Sequence, residues 1–281
     1  MKLRLDDDEL SGCVSCGLCL PHCPTFRVTG EEALSPRGRI SAMRAVHWDG
    51  LRPGPDFIHS METCVQCRGC ETACPSGVHF GHLMEGTRET LAEQHRITSR
   101  FQRLGLAVLP HHGLLLFGST MLAVAQRMRL VPKRLGLPRL PLRRGAAITT
   151  TGTDAWLFTG CVMDAWQRDT HRATANVLAA VGIAVQLPTA GGGCCGALHS
   201  HAGLIETART MAHRVMDSMP GDAPIVVNSA GCGAALKDYG HLLGTPRAVE
   251  FSRRVVDAQE SVASRIDRLQ PRIRLGAVIV Q

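Results

Sequence analysis

The sequence is poor in aromatic side chains and shows no segment typical of an exported protein. Phe, Trp and Tyr make up 4% of its 281 residues, so a core must be built mainly from Leu, Val, Ala and Met. The first ten residues, MKLRLDDDEL, are acidic and lack the apolar stretch of a secretory signal. We therefore expect a cytoplasmic protein, in which grouped cysteines bind metal more often than they form disulfides.

Motifs for nucleotide binding and for acid–base chemistry are missing as well. The glycine run GGGCCG at residues 191–196 lacks the Lys-Ser/Thr pair that completes a phosphate-binding loop. No GxGxxG motif opens a helix after a predicted strand, and no side chain stands out as a general acid or a nucleophile. The sequence therefore gives no support for substrate chemistry on this chain alone.

Acidic residues are absent between residues 101 and 150, and this absence localises the net charge of +7. Outside that stretch 23 bases face 24 acids, so the remainder of the chain is nearly neutral. The eight bases within it are Arg103, Arg127, Arg129, Lys133, Arg134, Arg139, Arg143 and Arg144.

The same stretch begins with an apolar run at residues 104–125, which is long enough to cross a bilayer. The sequence Pro-His-His-Gly at residues 110–113 interrupts the run and favours a buried helical hairpin. The basic part that follows, residues 126–145, is predicted to be either an interdomain linker or a contact with an anionic membrane surface. No recognised nucleic-acid-binding motif accompanies it, so we expect no nucleic-acid partner.

Cysteine, by contrast, is abundant and clustered, with twelve residues in the chain. The stretch CVSCGLCLPHCP at residues 13–24 has the spacing C-x2-C-x2-C-x3-C-P, and CVQCRGCETACP at residues 64–75 repeats it. This spacing is the bacterial signature for [4Fe–4S] clusters. A structural zinc site would leave cysteines surplus, and disulfides are disfavoured in loops this short. The repeat therefore predicts two [4Fe–4S] clusters.

In two-cluster ferredoxins the fourth cysteine of each motif binds the cluster of the other motif. On that rule, the first cluster is held by Cys13, Cys16, Cys19 and Cys74. The second is held by Cys64, Cys67, Cys70 and Cys23. The prolines after the last cysteine of each motif turn the chain away, and Gly17 and Gly69 are expected to let the backbone approach sulfur.

Helical patterns surround these motifs. The stretch SPRGRISAMRAVHWDG at residues 35–50 predicts a helix that begins near Pro36, with an apolar stripe formed by Ile40, Met43, Ala45 and Val46. A second helix is predicted after Pro75, with Ser76 or a neighbour as its N-cap. Because no alternating strands occur here, we predict an all-α ferredoxin domain.

After residue 150 the pattern changes to alternating strands and helices. Strands are predicted at residues 155–161, 183–188 and 224–232, and helices at residues 167–181 and 204–216, which together indicate a parallel sheet. Four cysteines follow the carboxyl ends of these strands: Cys161, Cys194, Cys195 and Cys232. Loops at those ends share one edge of a sheet, so we expect the four cysteines to converge on a metal site, with helices beginning just after Cys161 and Cys232.

Two simpler interpretations stay open for this second region. Buried cysteines are common as small apolar residues, although the adjacent pair in a glycine-rich loop argues against that interpretation. His199 and His201 could transfer protons or tune the site, but a structural role ranks first for them.

The layout resembles the family of glycolate oxidase iron–sulfur subunits, in which a helical ferredoxin domain is joined to cysteine-rich CCG domains. The resemblance rests on CVSCGLCLPHCPTF, SPRGRI, CRGCETACPSGV, GCCGALHSH and NSAGCGAALKDYG. It implies an electron-transfer subunit with two [4Fe–4S] clusters and an optional third site in the CCG domain. A separate FAD-binding subunit would oxidise glycolate or another 2-hydroxy acid, and electrons would pass toward a membrane acceptor such as quinone. Alternatives within the family are subunits for lactate utilisation, anaerobic glycerol-3-phosphate dehydrogenase and heterodisulfide reductase.

The sequence departs from this family at two points. Ala235 stands where the last cysteine of the CCG motif is expected, which weakens the case for a five-cysteine cluster. The chain also stops at RLGAVIVQ, an apolar strand at residues 274–281, where a second CCG domain is expected. We therefore expect a truncated or half-length relative.

We predict an α plus α/β architecture with three parts: a ferredoxin domain (1–100), an apolar and basic helical linker (101–150), and a CCG domain with a parallel sheet (151–281). The expected location is the cytoplasm, with peripheral contact to the inner membrane as an option. Two rival functions are a reductase with its active cluster at Cys194–Cys195 and a zinc protein that binds nucleic acid through the basic segment.

Overall fold

A computed structural model describes residues 2–143 and 145–269 of the chain. Contacts group these residues into two units, the first formed by residues 2–106 and 196–208 and the second by residues 107–195 and 209–269. Arg144 and the strand predicted at residues 274–281 lie outside the described residues. The predicted division at residues 100 and 150 stays a prediction.

The helices are short, and several begin with a proline, whose fixed φ suits the first helical position. The first seven helices are α1 (Asp7–Ser11), α2 (Pro24–Thr29), α3 (Pro36–His47), α4 (Pro55–Glu62), α5 (Gly69–Thr72), α6 (Phe80–Glu93) and α7 (Arg100–Ala107). The next five are α8 (His112–Arg127), α9 (Val162–Trp166), α10 (Arg168–Ala180), α11 (Ala197–His201) and α12 (Ile205–Ser218). The last four are α13 (Ala230–Lys237), α14 (Tyr239–Leu243), α15 (Pro246–Arg253) and α16 (Ala258–Ala263).

The core of the first unit is built from leucine and methionine rather than from aromatic rings. Met43, Met61 and Met84 are fully buried, and they pack with Leu10 and Leu83 in one cluster. Methionine adapts its shape to irregular gaps, which suits a core between short helices. The shortage of aromatic residues in the sequence is therefore matched by a core in which leucine and methionine fill the space between helices.

The two predicted helices are present, with one difference. Helix α3 begins at Pro36 and buries Ile40, Met43 and Val46 as predicted, while Ala45 is half-buried. Helix α6, however, begins at Phe80, and its N-cap is His79 rather than Ser76. The N-cap prediction was wrong because the chain first makes a turn after Pro75, in which Gly77 adopts a left-handed conformation with φ of 64°.

The second unit contains a sheet of four parallel strands. They are β1 (Ala155–Phe158), β2 (Val185–Gln186), β3 (Ile225–Val227) and β4 (Val255–Asp257), in the order β2-β1-β3-β4. The predicted fold class, a helical region followed by an α/β domain with a parallel sheet, is confirmed. The fourth strand was not predicted, because two valines between arginines and an aspartate give too weak a pattern.

The apolar segment forms two helices as predicted, but they are not buried. Helices α7 and α8 are separate elements, with a break in helical structure at residues 108–111. All of α7 is described, and none of its side chains is fully buried; α8 buries only Leu115, Ser119 and Ala123. Within the described residues no single helix has the length and hydropathy to cross a membrane, although the pair α7 and α8 passes that test by length and composition.

Candidate iron–sulfur sites

The two cysteine motifs trace the same backbone path. Ser15 and Gln66, each two residues after the first cysteine, have φ of 57° and 50°, and Gly17 and Arg68, each four residues after it, have φ of 86° and 56°. The left-handed region is costly for residues other than glycine, so both loops must be held by their surroundings. Arg68, not Gly69, is the counterpart of Gly17.

Gly69 has a different role, which is to let the two motifs approach each other. A Cβ at this position would lie 3.2 Å from the carbonyl oxygen of His22, which belongs to the first motif. The short turn Leu20–His22 therefore packs against the start of α5. This contact places the end of the first motif beside the second, as an exchange of fourth cysteines requires.

One arginine holds the loop of the second motif from behind. Arg88, on α6, is buried and donates to the carbonyl oxygens of Met61 at 2.6 Å, Glu62 at 3.1 Å and Cys64 at 2.6 Å. Its other terminal nitrogen donates to the His201 carbonyl at 2.7 Å. The guanidinium therefore fixes the main chain three residues before, two residues before and at the first cysteine.

Arg44, on α3, makes the same three bonds in the first motif. It donates to the carbonyl oxygens of Leu10 at 2.8 Å, Ser11 at 3.2 Å and Cys13 at 2.7 Å. These positions again lie three residues before, two residues before and at the first cysteine. The repeat visible in the sequence thus extends to a duplicated arginine brace, which spacing alone could not reveal.

A cavity in the first unit is lined by four cysteines from both motifs. Its cysteines are Cys23, Cys64, Cys67 and Cys70. Three come from the second motif and one from the first, in the combination that the exchange rule predicts. Pro24, Pro36 and Phe80 complete much of the wall, so the cavity offers thiols in a largely apolar cage.

Arg39 is the charged residue buried deepest beside this cavity. Its side chain is fully buried and donates to the carbonyl oxygens of Leu34 and Ser60 and to the hydroxyls of Thr25 and Thr63. It also lies 4.0 Å from the sulfur of Cys23. A buried cation with satisfied donors is suited to balance the negative charge of a thiolate-bound cluster.

The thiols of this cavity differ in acidity. Burial alone would raise the pKa of Cys23. Hydrogen bonds from Thr25 and the Phe26 amide, together with the charge of Arg39, outweigh burial and lower this pKa. Burial raises the pKa of Cys64 and of Cys70, so these two sulfurs need a bound cation to stay deprotonated. All twelve cysteines lie within the described residues and are thiols rather than disulfides. The donor set fits an iron–sulfur cluster.

The structure also brings together three cysteines of the first motif. Burial raises the pKa of Cys19, and the nearby thiols of Cys13 and Cys16 add to that rise. Cys74 packs against the same apolar core as Cys13 and Cys19. Arg37 spans this loop, because it donates to the Ser15 carbonyl at 3.1 Å.

The stretch SPRGRI joins the two candidate sites. The hydroxyl of Ser35 caps α3 by accepting from the Gly38 amide at 3.0 Å, and Pro36 occupies the first helical position. Arg37 then points to the loop of the first motif, and Arg39 points to the cavity lined by Cys23, Cys64, Cys67 and Cys70. One helix start thus supplies a cation to each site.

Gly38 is needed for close packing at this helix start. A Cβ there would lie 1.9 Å from the Glu32 carbonyl oxygen, and backbone atoms cannot yield cheaply. We expect Gly38→Ala to lower the free energy of unfolding by about 1–3 kcal/mol, the usual cost of overpacking. Chemical denaturation of the anaerobic protein measures this, and Gly54→Ala is the control because its added Cβ meets open space. Equal midpoints for the two variants would contradict the prediction.

The four cysteines of the second unit converge at one edge of the sheet. Cys161 follows β1, Cys194 and Cys195 follow β2, and Cys232 follows β3. The Cys195 and Cys232 sulfurs are 3.4 Å apart, and Cys194 hydrogen-bonds Cys161, which lowers the pKa of Cys161 to about 7. The thiols thus lie in two pairs.

The surroundings of these pairs differ from the prediction in one detail. Helix α9 begins just after Cys161 as expected, but α13 begins at Ala230, so Cys232 lies inside its first turn. Ala235 follows one turn later on the same helix. Tyr239 is fully buried and donates its hydroxyl to the Cys195 carbonyl at 2.8 Å.

Within residues 2–143 and 145–269, no three His, Cys, Asp or Glu side chains are arranged as ligands of a single metal ion.

The two histidines after the CCG motif lie in the first unit. His199 is buried, and the carbonyl of His201 accepts from Arg88. Burial, followed by the charges of Arg88 and Arg68, lowers the pKa of His201 to about 4, so its ring is neutral at neutral pH. These contacts support the structural role that ranked first.

Comparison with known proteins gives two matches to family models. A model described as a 4Fe-4S dicluster domain matches residues 9–78, and one described as a cysteine-rich domain matches residues 155–237. The first confirms the predicted pair of [4Fe–4S] clusters. No solved structure matches the chain.

Curated relatives cover most of this chain. It is 32% identical to a probable glycolate oxidase iron–sulfur subunit of Bacillus subtilis, over 91% of this chain and 66% of the relative. It is 30% identical to the glycolate oxidase iron–sulfur subunit of Escherichia coli, over 84% and 60%. One subunit of the dihydromethanophenazine-dependent heterodisulfide reductase of Methanosarcina barkeri is 27% identical over 84% and 59%. The chain thus spans about three fifths to two thirds of the length of these relatives.

Proposed function

Because this chain belongs to the family of iron–sulfur proteins that join a 4Fe-4S dicluster domain to a cysteine-rich domain, glycolate oxidase iron–sulfur subunits among them, we propose that it serves a 2-hydroxy acid oxidase. In this role it receives electrons from the oxidation of glycolate and passes them toward a membrane acceptor such as quinone. A heterodisulfide or lactate is the alternative substrate, because related proteins belong to heterodisulfide reductase and to lactate utilisation. Glycerol 3-phosphate is a further alternative within the family.

The observation that carries the proposal is the cavity shared by both cysteine motifs. Cysteines 64, 67 and 70 of the second motif meet Cys23 of the first around one apolar space, with the buried Arg39 beside it. Such a cage supports the assignment of these four residues as ligands of one cluster. By the repeat, Cys13, Cys16, Cys19 and Cys74 are proposed as ligands of the other.

A [4Fe–4S] cluster supplies one-electron transfer at a potential set by its charge, its hydrogen bonds and its exposure to water. The chain contributes the surroundings. Arg44 and Arg88 orient the main chain at the first cysteine of each motif, while Pro36 and Phe80 add apolar surface to the cavity lined by Cys23, Cys64, Cys67 and Cys70. Arg39 holds a positive charge close to Cys23.

The partner and the location follow from the same proposal. An FAD-binding subunit would oxidise the 2-hydroxy acid, because this sequence lacks a flavin or nucleotide motif of its own. The four cysteines Cys161, Cys194, Cys195 and Cys232 are proposed as a third site. Twelve reduced thiols suit the cytoplasm, and peripheral contact with the inner membrane would bring the chain to its acceptor.

The test uses the chain in its complex, prepared without oxygen together with the FAD-binding subunits. We expect glycolate to bleach the visible absorbance of the clusters. The EPR signals of the reduced [4Fe–4S] clusters should grow in proportion to the absorbance that is lost. Bleaching by glycerol 3-phosphate, and none by glycolate, would contradict the proposed substrate. Lactate serves as the matched 2-hydroxy acid, because it adds only a methyl group to glycolate.

A metal analysis of the same preparation separates the proposal from zinc binding. We expect about eight irons per chain from the two ferredoxin-type clusters, and any excess would report on the third site. Colourless protein that contains zinc, lacks iron and sulfide, and binds DNA in a salt-dependent way would contradict the iron–sulfur assignment.

A further inference from the structure

Gln66 is a polar residue buried in the wall of the cavity that both cysteine motifs share. It lies between Cys64 and Cys67 in the second motif, and it lines the cavity together with these two cysteines, Cys23 and Cys70. The residue is only 8% exposed. Neither Nε2 nor Oε1 of its carboxamide has a hydrogen-bond partner among the residues that the structure describes. The cavity wall thus contains a polar group that the surrounding protein does not satisfy.

A buried carboxamide without a partner is costly, because it loses its hydrogen bonds to water and gains none in return. Buried polar side chains in native proteins therefore nearly always have a partner, and an exception calls for an explanation. The four thiols around this cavity provide one, since they fit an iron–sulfur cluster. The sulfur atoms of such a cluster accept hydrogen bonds, so a bound cluster would supply the partner that Gln66 lacks.

The backbone at Gln66 is a second, independent observation. Its φ is 50°, in the left-handed region that glycine adopts freely and that costs energy for residues with a Cβ. Strain of this kind occurs mainly at functional sites, where the surroundings hold it in place. The main-chain amide of Gln66 also hydrogen-bonds the sulfur of Cys64. The strained conformation therefore keeps this residue close to a proposed ligand sulfur.

The first motif provides an internal comparison. Ser15 occupies the same position in that motif, and its φ of 57° shows the same left-handed turn. Ser15 is exposed, so water can satisfy its hydroxyl. Of these two loops, which share one backbone path, the second alone buries a hydrogen-bonding side chain at this position. The surroundings of the two clusters therefore differ, although the cysteine spacing is identical.

We infer that Nε2 of Gln66 donates a hydrogen bond to a sulfur atom of the cluster held by Cys23, Cys64, Cys67 and Cys70, and thereby raises the reduction potential of that cluster. The reduced cluster carries one more negative charge than the oxidised cluster, so a donor to its sulfur stabilises the reduced form more. This inference deepens the proposed function. It rests on the proposed assignment of the four cysteines to one cluster and is independent of the proposed substrate.

A redox titration of the anaerobic full chain, followed by EPR, tests the inference. The background is C16A/C74A, because this variant is expected to keep only the cluster of the shared cavity. Methionine is similar in length to glutamine but has no N–H donor. We expect Q66M to lower the equilibrium constant for one-electron reduction about tenfold, which corresponds to about 59 mV. Q66E replaces the donor with a negative charge and should lower the potential further.

The matched control is S15A in the background C23A/C67A, which is expected to keep the other cluster. Its potential should not change, because the hydroxyl that S15A removes is exposed. An unchanged potential in Q66M, or an equal shift in S15A, would overturn the inference. A higher potential in Q66M would do so too, because water admitted by loosened packing stabilises the more negative, reduced cluster.

Pulsed EPR of protein labelled with ¹⁵N in its glutamine carboxamides detects the bond directly. The reduced cluster in C16A/C74A should show a ¹⁵N coupling that Q66M and Q66E lack. Absence of this coupling before any change at Gln66 would overturn the inference even if both variants fail to load a cluster. Iron analysis separates the two failures: C16A/C74A without iron contradicts the ligand set and the inference together, whereas about four irons without the coupling contradict the inference alone.

Discussion

The double variant C23A/C67A should keep one intact [4Fe–4S] cluster, whereas C16A/C23A should keep none. The reason is geometric: Cys23 lines the same cavity as Cys64, Cys67 and Cys70, although it belongs to the first motif. Removal of Cys23 and Cys67 therefore damages one site twice. Removal of Cys16 and Cys23 damages each site once, and a site with three thiolates no longer holds a complete four-thiolate cluster.

Iron and sulfide analysis, together with low-temperature EPR of the reduced protein, measures the outcome. C23A/C67A should retain about four irons and one unaltered cluster signal. Its matched partner, C16A/C74A, should retain the other signal. If C16A/C23A instead keeps one unaltered cluster, each motif uses its own fourth cysteine and the exchange of ligands is wrong. Circular dichroism of all variants checks that the helices are still folded.

The cysteines of the candidate sites were accessible to sequence reasoning because their spacing encodes the chemistry. Three thiols within seven residues, twice, leave few alternatives to a cluster. The parallel sheet was accessible for a similar reason, since strands of buried valine and isoleucine alternate with helical patterns. Its topology then places Cys161, Cys194 and Cys232 at one edge.

The pairing of the thiols and the burial of α8 were not accessible in the same way. Whether Cys161 contacts Cys194 or Cys232 depends on loop paths that short-range patterns do not specify. Helix α8 is apolar on two opposite faces, so its composition suggested a buried element. The structure covers only one of those faces, and hydropathy cannot indicate which face lacks a partner.

The arginines behind the cluster loops were also missed, although the sequence held a signal for them. Arg88 occurs four residues after Met84 and three before Leu91, which places it within the apolar stripe of α6. A charged residue at such a position is buried only if its donors are satisfied. Arg39 lies four residues before Met43 on α3, again within an apolar stripe. Arginine within a helical apolar stripe, near a cysteine motif, is thus a usable indication of a loop brace.

Arg88→Met should be the most damaging single substitution at the second loop. Methionine has a similar apolar length, but it leaves the carbonyls of Met61, Glu62 and Cys64 without the donor that now joins them. Loss of one partner from a buried, charged hydrogen-bond network costs about 3–5 kcal/mol. We expect a lower free energy of unfolding and selective loss of the cluster held by the second motif. Arg44→Met should do the same at the first motif, with a smaller cost because Arg44 is partly exposed.

Arg88→Lys separates the charge of the brace from its geometry. Lysine keeps the positive charge, but one ammonium group cannot also replace the Nε bond to the Met61 carbonyl and the Nη1 bond to the His201 carbonyl. If the geometry matters, Arg88→Lys should lose stability nearly as Arg88→Met does, and the iron that remains should show an almost unchanged reduction potential. Arg96→Ala, at an exposed position just beyond α6, is the control and should change neither quantity. Retention of both clusters and of full stability in Arg88→Met would show that the left-handed turns at Gln66 and Arg68 hold themselves, because the loop would then need no brace.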